Sequence, residues 1–300
     1  MAEDGGALIW DRDGRDWPNR EASRFVDAGG IAWHVQQFGQ GPPALLVHGT
    51  GASTHSWAWI APYLKDNFTL IAVDLPGHAF SGSLPGARMS LPGIAAALGA
   101  LLAELHVSPV LVVGHSAGAA IIARMALDRA IAPHLLVSIN GALMPFQGAA
   151  SHIFPALAKA LFVNPLASRF FTWRASQEGA VERLIANTGS RIPAQSLGHY
   201  QRLFRSPTHV AGALAMMANW NLSALAGELP RLGPRLLQIV GSNDRAIPPD
   251  QAFQLARRIP DAKVEVLRGP GHLAHEEEPR RVAAPILEAA TTMEIVARLT

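Results

Sequence analysis

Short, uninterrupted apolar runs that stop at turn residues dominate the hydrophobic pattern of this chain. They fall at 44–47, 70–73, 110–113, 135–139 and 236–240, with 264–267 as a last candidate. A strand covered on both faces reads this way, because helices pack on each side of a parallel sheet. Helical periodicity fills most of the gaps, over roughly 54–64, 90–105, 117–129, 248–258 and 276–290. Upstream, 24–27 and 31–38 alternate in polarity around Gly29-Gly30, which predicts a hairpin. Strand alternating with helix predicts an α/β fold with a doubly wound, mostly parallel eight-stranded sheet and helices on both faces.

The alternation fails once. From Leu143 to about Leu222 no strand candidate occurs, and Phe, Trp, Met and small residues abound. This segment, 143–222, is expected to be a helical cap over the C-terminal edge of the sheet, where open α/β sheets bind ligands. The core is then 1–142 plus 223–300. Its first 22 residues, without clear period, are an N-terminal arm lying on the domain.

Composition narrows the class. Hydrophobic residues make up 49% and charged residues 16%, which excludes a disordered or solvating role. The net charge is +2 and the 25 basic residues are scattered, so no nucleic-acid footprint is present. With no cysteine, disulfides, thiolate metal sites and a cysteine nucleophile are excluded, and a reducing cytoplasm is suited. No signal peptide is visible, and the most apolar long segment, 94–105, is too short to span a bilayer. The expectation is a soluble cytoplasmic protein. A mean hydropathy of +0.16 leaves peripheral contact with a membrane open.

Gly114-His115-Ser116-Ala117-Gly118 joins an apolar strand to a helix. A sharp turn there lifts the Ser116 hydroxyl clear of the sheet, with small residues letting strand and helix approach. A serine nucleophile needs a base, and the base an orienting acid. Asp244 follows the run 236–240, and His272 lies in a Gly-rich loop after the last strand; both have the order expected behind Ser116. Asp250 is the nearest rival acid. Asn140 occupies the other place where an acid can sit, but an amide cannot balance an imidazolium. Backbone N–H groups of Ala117 and, in His48-Gly49-Thr50-Gly51-Ala52, of Thr50 are expected to form an oxyanion hole. His115 reads as packing, and His48 and His78 as hydrogen-bonders in turns. His275-Glu276 lacks the His-x-x-x-His spacing of a zinc site, so neither metal nor cofactor is called for. In the cap, Met144, Phe146, Trp173, Met217 and Trp220 are candidates for a hydrophobic pocket fit for a bulky planar or lipid-like ligand. Helices packing their apolar faces on the sheet would account for many of the same residues.

With these motifs in place, the chain resembles the α/β-hydrolase superfamily from about Arg24 to the C-terminus. Asp74-Leu75-Pro76-Gly77-His78-Ala79-Phe80-Ser81 is similar to its Asp-x-x-Gly-x-Gly-x-Ser turn, with Ala79 departing at the second glycine. A closer resemblance is to the magnesium-chelatase accessory α/β-hydrolases of bacteriochlorophyll biosynthesis. It rests on Asp16-Trp17-Pro18-Asn19-Arg20, Ser23-Arg24-Phe25-Val26, His48-Gly49-Thr50-Gly51-Ala52, Thr54-His55-Ser56-Trp57, Ser138-Ile139-Asn140-Gly141-Ala142, the stretch His209 to Met217, and Gly271-His272-Leu273-Ala274-His275-Glu276-Glu277. That resemblance implies a role beside the enzyme that inserts magnesium into protoporphyrin, with a tetrapyrrole or chelatase subunits as partners and contact with a photosynthetic membrane open. Two functions follow: a serine hydrolase acting on an ester, or a non-catalytic tetrapyrrole-binding or chelatase-assisting accessory.

Overall fold

The computed structural model describes residues 6–145 and 167–296. Eight strands form one sheet in the order β1-β2-β4-β3-β5-β6-β7-β8. They are β1 Ser23–Ala28, β2 Ile31–Gly39, β3 Pro43–Val47, β4 Thr69–Val73, β5 Leu111–His115, β6 Leu135–Ile139, β7 Arg235–Gly241 and β8 Lys263–Leu267. Strand β2 runs antiparallel to both its neighbours, and every other pairing is parallel. The expected hairpin closes through Gly29 and Gly30 at φ +61° and +90°. A two-residue turn that matches strand twist needs positive φ at both positions, which glycine alone adopts freely.

The apolar runs are continuous because both faces are buried. Leu45, Val47, Ile71, Val73, Val112 and Leu136 pack one way, onto helices Leu91–Glu104 and Ala117–Leu127. Ala44, Leu46, Leu70, Ala72, Val113 and Val137 pack the other way, against Trp57, Ile60, Leu64, Val282 and Ile286. Successive side chains alternate between two cores, as the period of a strand requires.

Two expected helices are each interrupted. Over 54–64 a 3-10 turn Thr54–Trp57 is followed by a separate helix Ala61–Leu64, with Pro62 in its first turn. Over 276–290 the chain makes Ala274–Glu277, leaves helical geometry at Glu278 (φ −134°, ψ 56°), and restarts at Pro279–Thr292. At Glu278 the proline that follows disfavours helical geometry, and Pro279 suits the first position of the next helix.

Between β6 and β7 the described residues contain helices Ala167–Ala175, Ala180–Asn187, Ala194–Phe204, Pro207–Ala218 and Ser223–Glu228, a 3-10 turn Leu229–Arg231, and no strand. The arm is anchored to two of these. Arg202 donates to both carboxylate oxygens of Asp16 (2.6 and 2.8 Å), and Ser206 donates to the Gly6 carbonyl (2.8 Å). Trp17 is buried and donates to Thr54 Oγ1 at 3.0 Å. Among the described residues no helix is long and apolar enough to cross a membrane.

Candidate active site

Strand β5 hands over to helix Ala117–Leu127 through a single residue, Ser116, at φ 52° and ψ −117°. A side chain in that region costs on the order of 1–3 kcal/mol, so its surroundings must hold it there. They do so through the backbone. Ser116 N–H donates to Ile139 O (3.1 Å), and its carbonyl accepts from Ala119 (3.2 Å) and Ala142 (3.0 Å). The glycines on either side are steric requirements. A Cβ at Gly118 would run into the Val47 carbonyl oxygen, and one at Gly114 into the Ala119 backbone.

Asp244 lies three residues past the end of β7 with its carboxylate fully buried. Its Oδ1 accepts from the N–H groups of Ala246 (2.8 Å) and Ile247 (2.9 Å). Its Oδ2 lies 2.9 Å from His272 Nδ1. A carboxylate only accepts, so Nδ1 carries a proton, and in the neutral ring Nε2 is then the acceptor. The His272 side chain keeps 11% of its surface exposed. The rival Asp250 is exposed at the start of helix Asp250–Ala256.

The end of β5 meets the His272 loop directly. His115, next to Ser116, donates from Nε2 to the His272 carbonyl at 2.9 Å, and the two rings are 4.7 Å apart. Gly49 faces Ser116 so closely that a Cβ there would lie 2.9 Å from the serine Cβ. From Gly49 the chain turns back, with Ala52 N–H on Gly49 O (3.1 Å) and Gly51 at φ 78°. Thr50 therefore sits at the tip of a tight turn beside the serine, its hydroxyl 3.6 Å from Met216 Sδ. Ala117 is the first residue of its helix, so its N–H has no acceptor within the helix.

Buried histidines brace this loop. His48 Nε2 accepts from Leu75 N–H (2.9 Å), which places the proton on Nδ1 for the Gly49 carbonyl (2.8 Å). His209, on helix Pro207–Ala218, accepts from Ala79 N–H at Nδ1 (3.0 Å) and donates from Nε2 to Gly51 O (3.2 Å). Burial lowers the His48 pKa and takes His209 down to about 4, so both stay neutral. Ala79, where the turn motif has glycine, does adopt a left-handed φ of 44°.

Of the apolar candidates, Met144 and Trp220 pack against the larger core. Trp173 and Met217 are 59% and 42% exposed. Phe146 lies outside the described residues.

Three residues here were not given these parts by the sequence. Asn140 ties the His272 loop to β7, a contact its position after β6 hinted at only as a place for an acid. His115 makes the carbonyl contact above. Glu276 is buried and accepts from Tyr200 Oη (2.7 Å) and from Ser196 Oγ. Burial pushes its carboxyl up to about 7 against the pull of those hydroxyls. A buried acid inside a His-Glu-Glu run was the available signal.

The profile of the alpha/beta hydrolase family matches residues 44–284. The chain is 38% identical over 275 residues to the "Magnesium-chelatase 30 kDa subunit" of Rhodobacter capsulatus, covering 91% of this chain and 96% of that one. It is 28% identical over 266 residues to a pimeloyl-[acyl-carrier protein] methyl ester esterase of Vibrio vulnificus, covering 86% and 97%. A thermophilic esterase from Thermogutta terrifontis superposes with a TM-score of 0.73 at 22% identity, over 92% of this chain and 99% of that one, a likeness of fold. A match over most of the chain, a mostly parallel sheet and a strained strand-to-helix serine lead to one family: the chain belongs to the alpha/beta hydrolases.

Proposed function

We propose that this protein is a serine hydrolase that cleaves an ester of a bulky apolar substrate, in a role associated with magnesium chelation. The observation that carries the reading is the 2.9 Å bond between His272 Nδ1 and Asp244 Oδ2, with the other carboxylate oxygen held by two backbone N–H groups. That arrangement fixes the tautomer whose Nε2 can take a proton.

In this reading Ser116 Oγ attacks the ester carbonyl carbon while its proton passes to His272 Nε2. Asp244 stabilises the imidazolium without taking the proton. The N–H groups of Thr50 and Ala117 receive the oxyanion. Collapse expels the alcohol, protonated by His272, and leaves an acyl-Ser116. Water, deprotonated by the same nitrogen, then releases the acid and restores the serine. Helices between β6 and β7 serve as the cap over this site, with the apolar part of the substrate against Met144, Met217 and Trp220. The tie to magnesium chelation rests on the 38% identity to the Rhodobacter capsulatus subunit, as would a tetrapyrrole ligand or chelatase partner.

The same identity favours a second reading, an accessory in which catalysis is incidental. Labelling with a fluorophosphonate probe and replacement of Ser116 by Ala separate the two. The hydrolase reading expects labelling of the wild type, none of Ser116→Ala, and failure of that variant to restore pigment synthesis in a host lacking the gene. Normal pigment with Ser116→Ala leaves the accessory reading. An unlabelled wild type sinks the hydrolase.

A further inference from the structure

Asn140 is the residue after β6, in left-handed geometry at φ 45°, which asparagine tolerates better than most residues. Its backbone N–H donates to Ile239 O of β7 at 2.9 Å. Its Oδ1 accepts from Gly241 N–H at 2.8 Å, three residues before Asp244. Its Nδ2 donates to Gly271 O at 2.9 Å and to His272 O at 2.8 Å. One buried amide thus joins the backbone that carries the acid to the backbone that carries the base. His115 Nε2 reaches the same His272 carbonyl from the strand that carries Ser116.

We infer that Asn140 and His115 are positioning residues: their two N–H donors converge on the His272 carbonyl and fix the imidazole between Asp244 and Ser116. This rests on the hydrolase reading above. Both of the carbonyl oxygen's lone pairs are used, one by each side chain. The β6 position needs an amide here for a definite reason. A carboxylate at 140 would keep the contact to Gly241 N–H but would set negative oxygens against two carbonyl oxygens, losing both donors. His115 must likewise be neutral with its proton on Nε2, and burial, followed by the neighbouring His275, holds its pKa well below the usual value.

A displacement of about 1 Å in a catalytic group costs on the order of 100-fold in rate. Fluorophosphonate inactivation should therefore slow about 100-fold in Asn140→Asp, and that deficit relative to the wild type at the same pH should shrink as pH falls and the new carboxyl gains a proton to donate. A merely structural residue would give no such acid-side recovery. His115→Phe should also slow inactivation, and His115→Gln, which keeps a donor at similar reach, should recover at least about tenfold over it. The low-field proton resonance of the His272–Asp244 bond gives a readout that needs no reaction; it should shift or vanish in Asn140→Asp. Wild-type inactivation rate, pH profile and resonance in a folded Asn140→Asp would overturn the inference. Should the wild type escape labelling, the hydrolase reading fails and the resonance alone decides the positioning of His272. Should Asn140→Asp not fold, the contrast between His115→Phe and His115→Gln decides it, and equal rates in those two would overturn it.

Discussion

Two buried histidine–aspartate pairs lie among the described residues, and their hydrogen bonds are nearly the same. His34 Nδ1 sits 2.7 Å from Asp74 Oδ2; His272 Nδ1 sits 2.9 Å from Asp244 Oδ2. Both carboxylates are fully buried and both accept from two backbone N–H groups, Thr54 and Phe80 in the first case, Ala246 and Ile247 in the second. The difference is at the far nitrogen of each ring. His34 Nε2 is buried with no hydrogen-bond partner among the described residues, its ring enclosed by Trp10 (4.7 Å), Phe25 (5.4 Å) and Phe80 (5.5 Å). His272 keeps part of its surface open, in a loop held against the end of β5. The bond to the acid fixes a tautomer in either place. Of the two, only His272 lies in a loop bonded to the residue before the strained serine turn.

The largest expected effects separate the pairs by their readout. Asp244→Asn should lower hydrolytic rate by about 10⁴-fold, because an amide that donates to the ring favours the wrong tautomer. Its stability should change little, since an amide oxygen still accepts from Ala246 and Ile247. Asp74→Ala should do the reverse. It strips His34, Thr54 and Phe80 of their acceptor, and loss of one partner from a buried pair costs about 3–5 kcal/mol. Denaturant unfolding together with ester turnover checks both. A stable, inactive Asp74→Ala, or an active Asp244→Asn, would break the distinction.

Protonation gives the next contrast. Asp74 is held at about 2: burial opposes the lowering, while His34 and the other donors outweigh it. Its stabilising contribution is present above its unfolded value near 3.8 and is lost as pH falls towards 2. His209 and His275 are lowered to about 4 and about 3 by burial, so stability is also lost as pH falls below 6.5 through those values. Glu276 has the opposite sign. Raised from 4.5 to about 7, it favours the fold below 4.5, and that contribution disappears as pH rises through 7. Glu276→Gln should therefore match the wild type near pH 4 and exceed it above pH 7, by about 1–3 kcal/mol. Melting temperature measured from pH 4 to 9 checks it. A constant gap across that range would show that ionisation of Glu276 is not what the variant removes.

Much of this was legible in the sequence for physical reasons. Strands buried on two faces leave uninterrupted apolar runs, so β3 to β7 could be placed to within a residue or two. Gly29-Gly30 can close a hairpin because both residues take positive φ. Gly114 and Gly118 are dictated by contact with backbone, so the serine turn carries its own signature. The break at Pro279 escapes a reading by apolar periodicity, because the pattern continues across Glu278, which the following proline holds out of helical geometry. Side-chain-to-backbone bonds left no trace. Nothing local distinguishes an Asn140 that donates to a residue 132 positions away from one that ends a strand. His34 and Asp74 likewise meet only because β2 and β4 pair.

The smallest expected effect concerns strain, and it again contrasts the two pairs. Ala79 and Ser116 both carry a Cβ at positive φ, 44° and 52°. Ala79 belongs to the turn that feeds Phe80 N–H to Asp74, and Ser116 to the candidate nucleophile turn. Strain at Ala79 has no reaction to serve. Replacing it by Gly removes about 1–2 kcal/mol of left-handed strain, but glycine returns about 0.5–1 kcal/mol of unfolded-chain entropy. Ala79→Gly should thus stabilise by up to about 1 kcal/mol with turnover unchanged, raising the melting temperature by up to about 2 °C. Ser116→Gly should gain a similar amount of stability and abolish probe labelling. If Ala79→Gly instead loses both stability and turnover, the methyl group packs in a way that matters to the oxyanion loop through His209, which accepts from the Ala79 N–H and donates to Gly51. The two regions would then be one braced unit, and the apparent independence of the His34–Asp74 pair from the site would be lost.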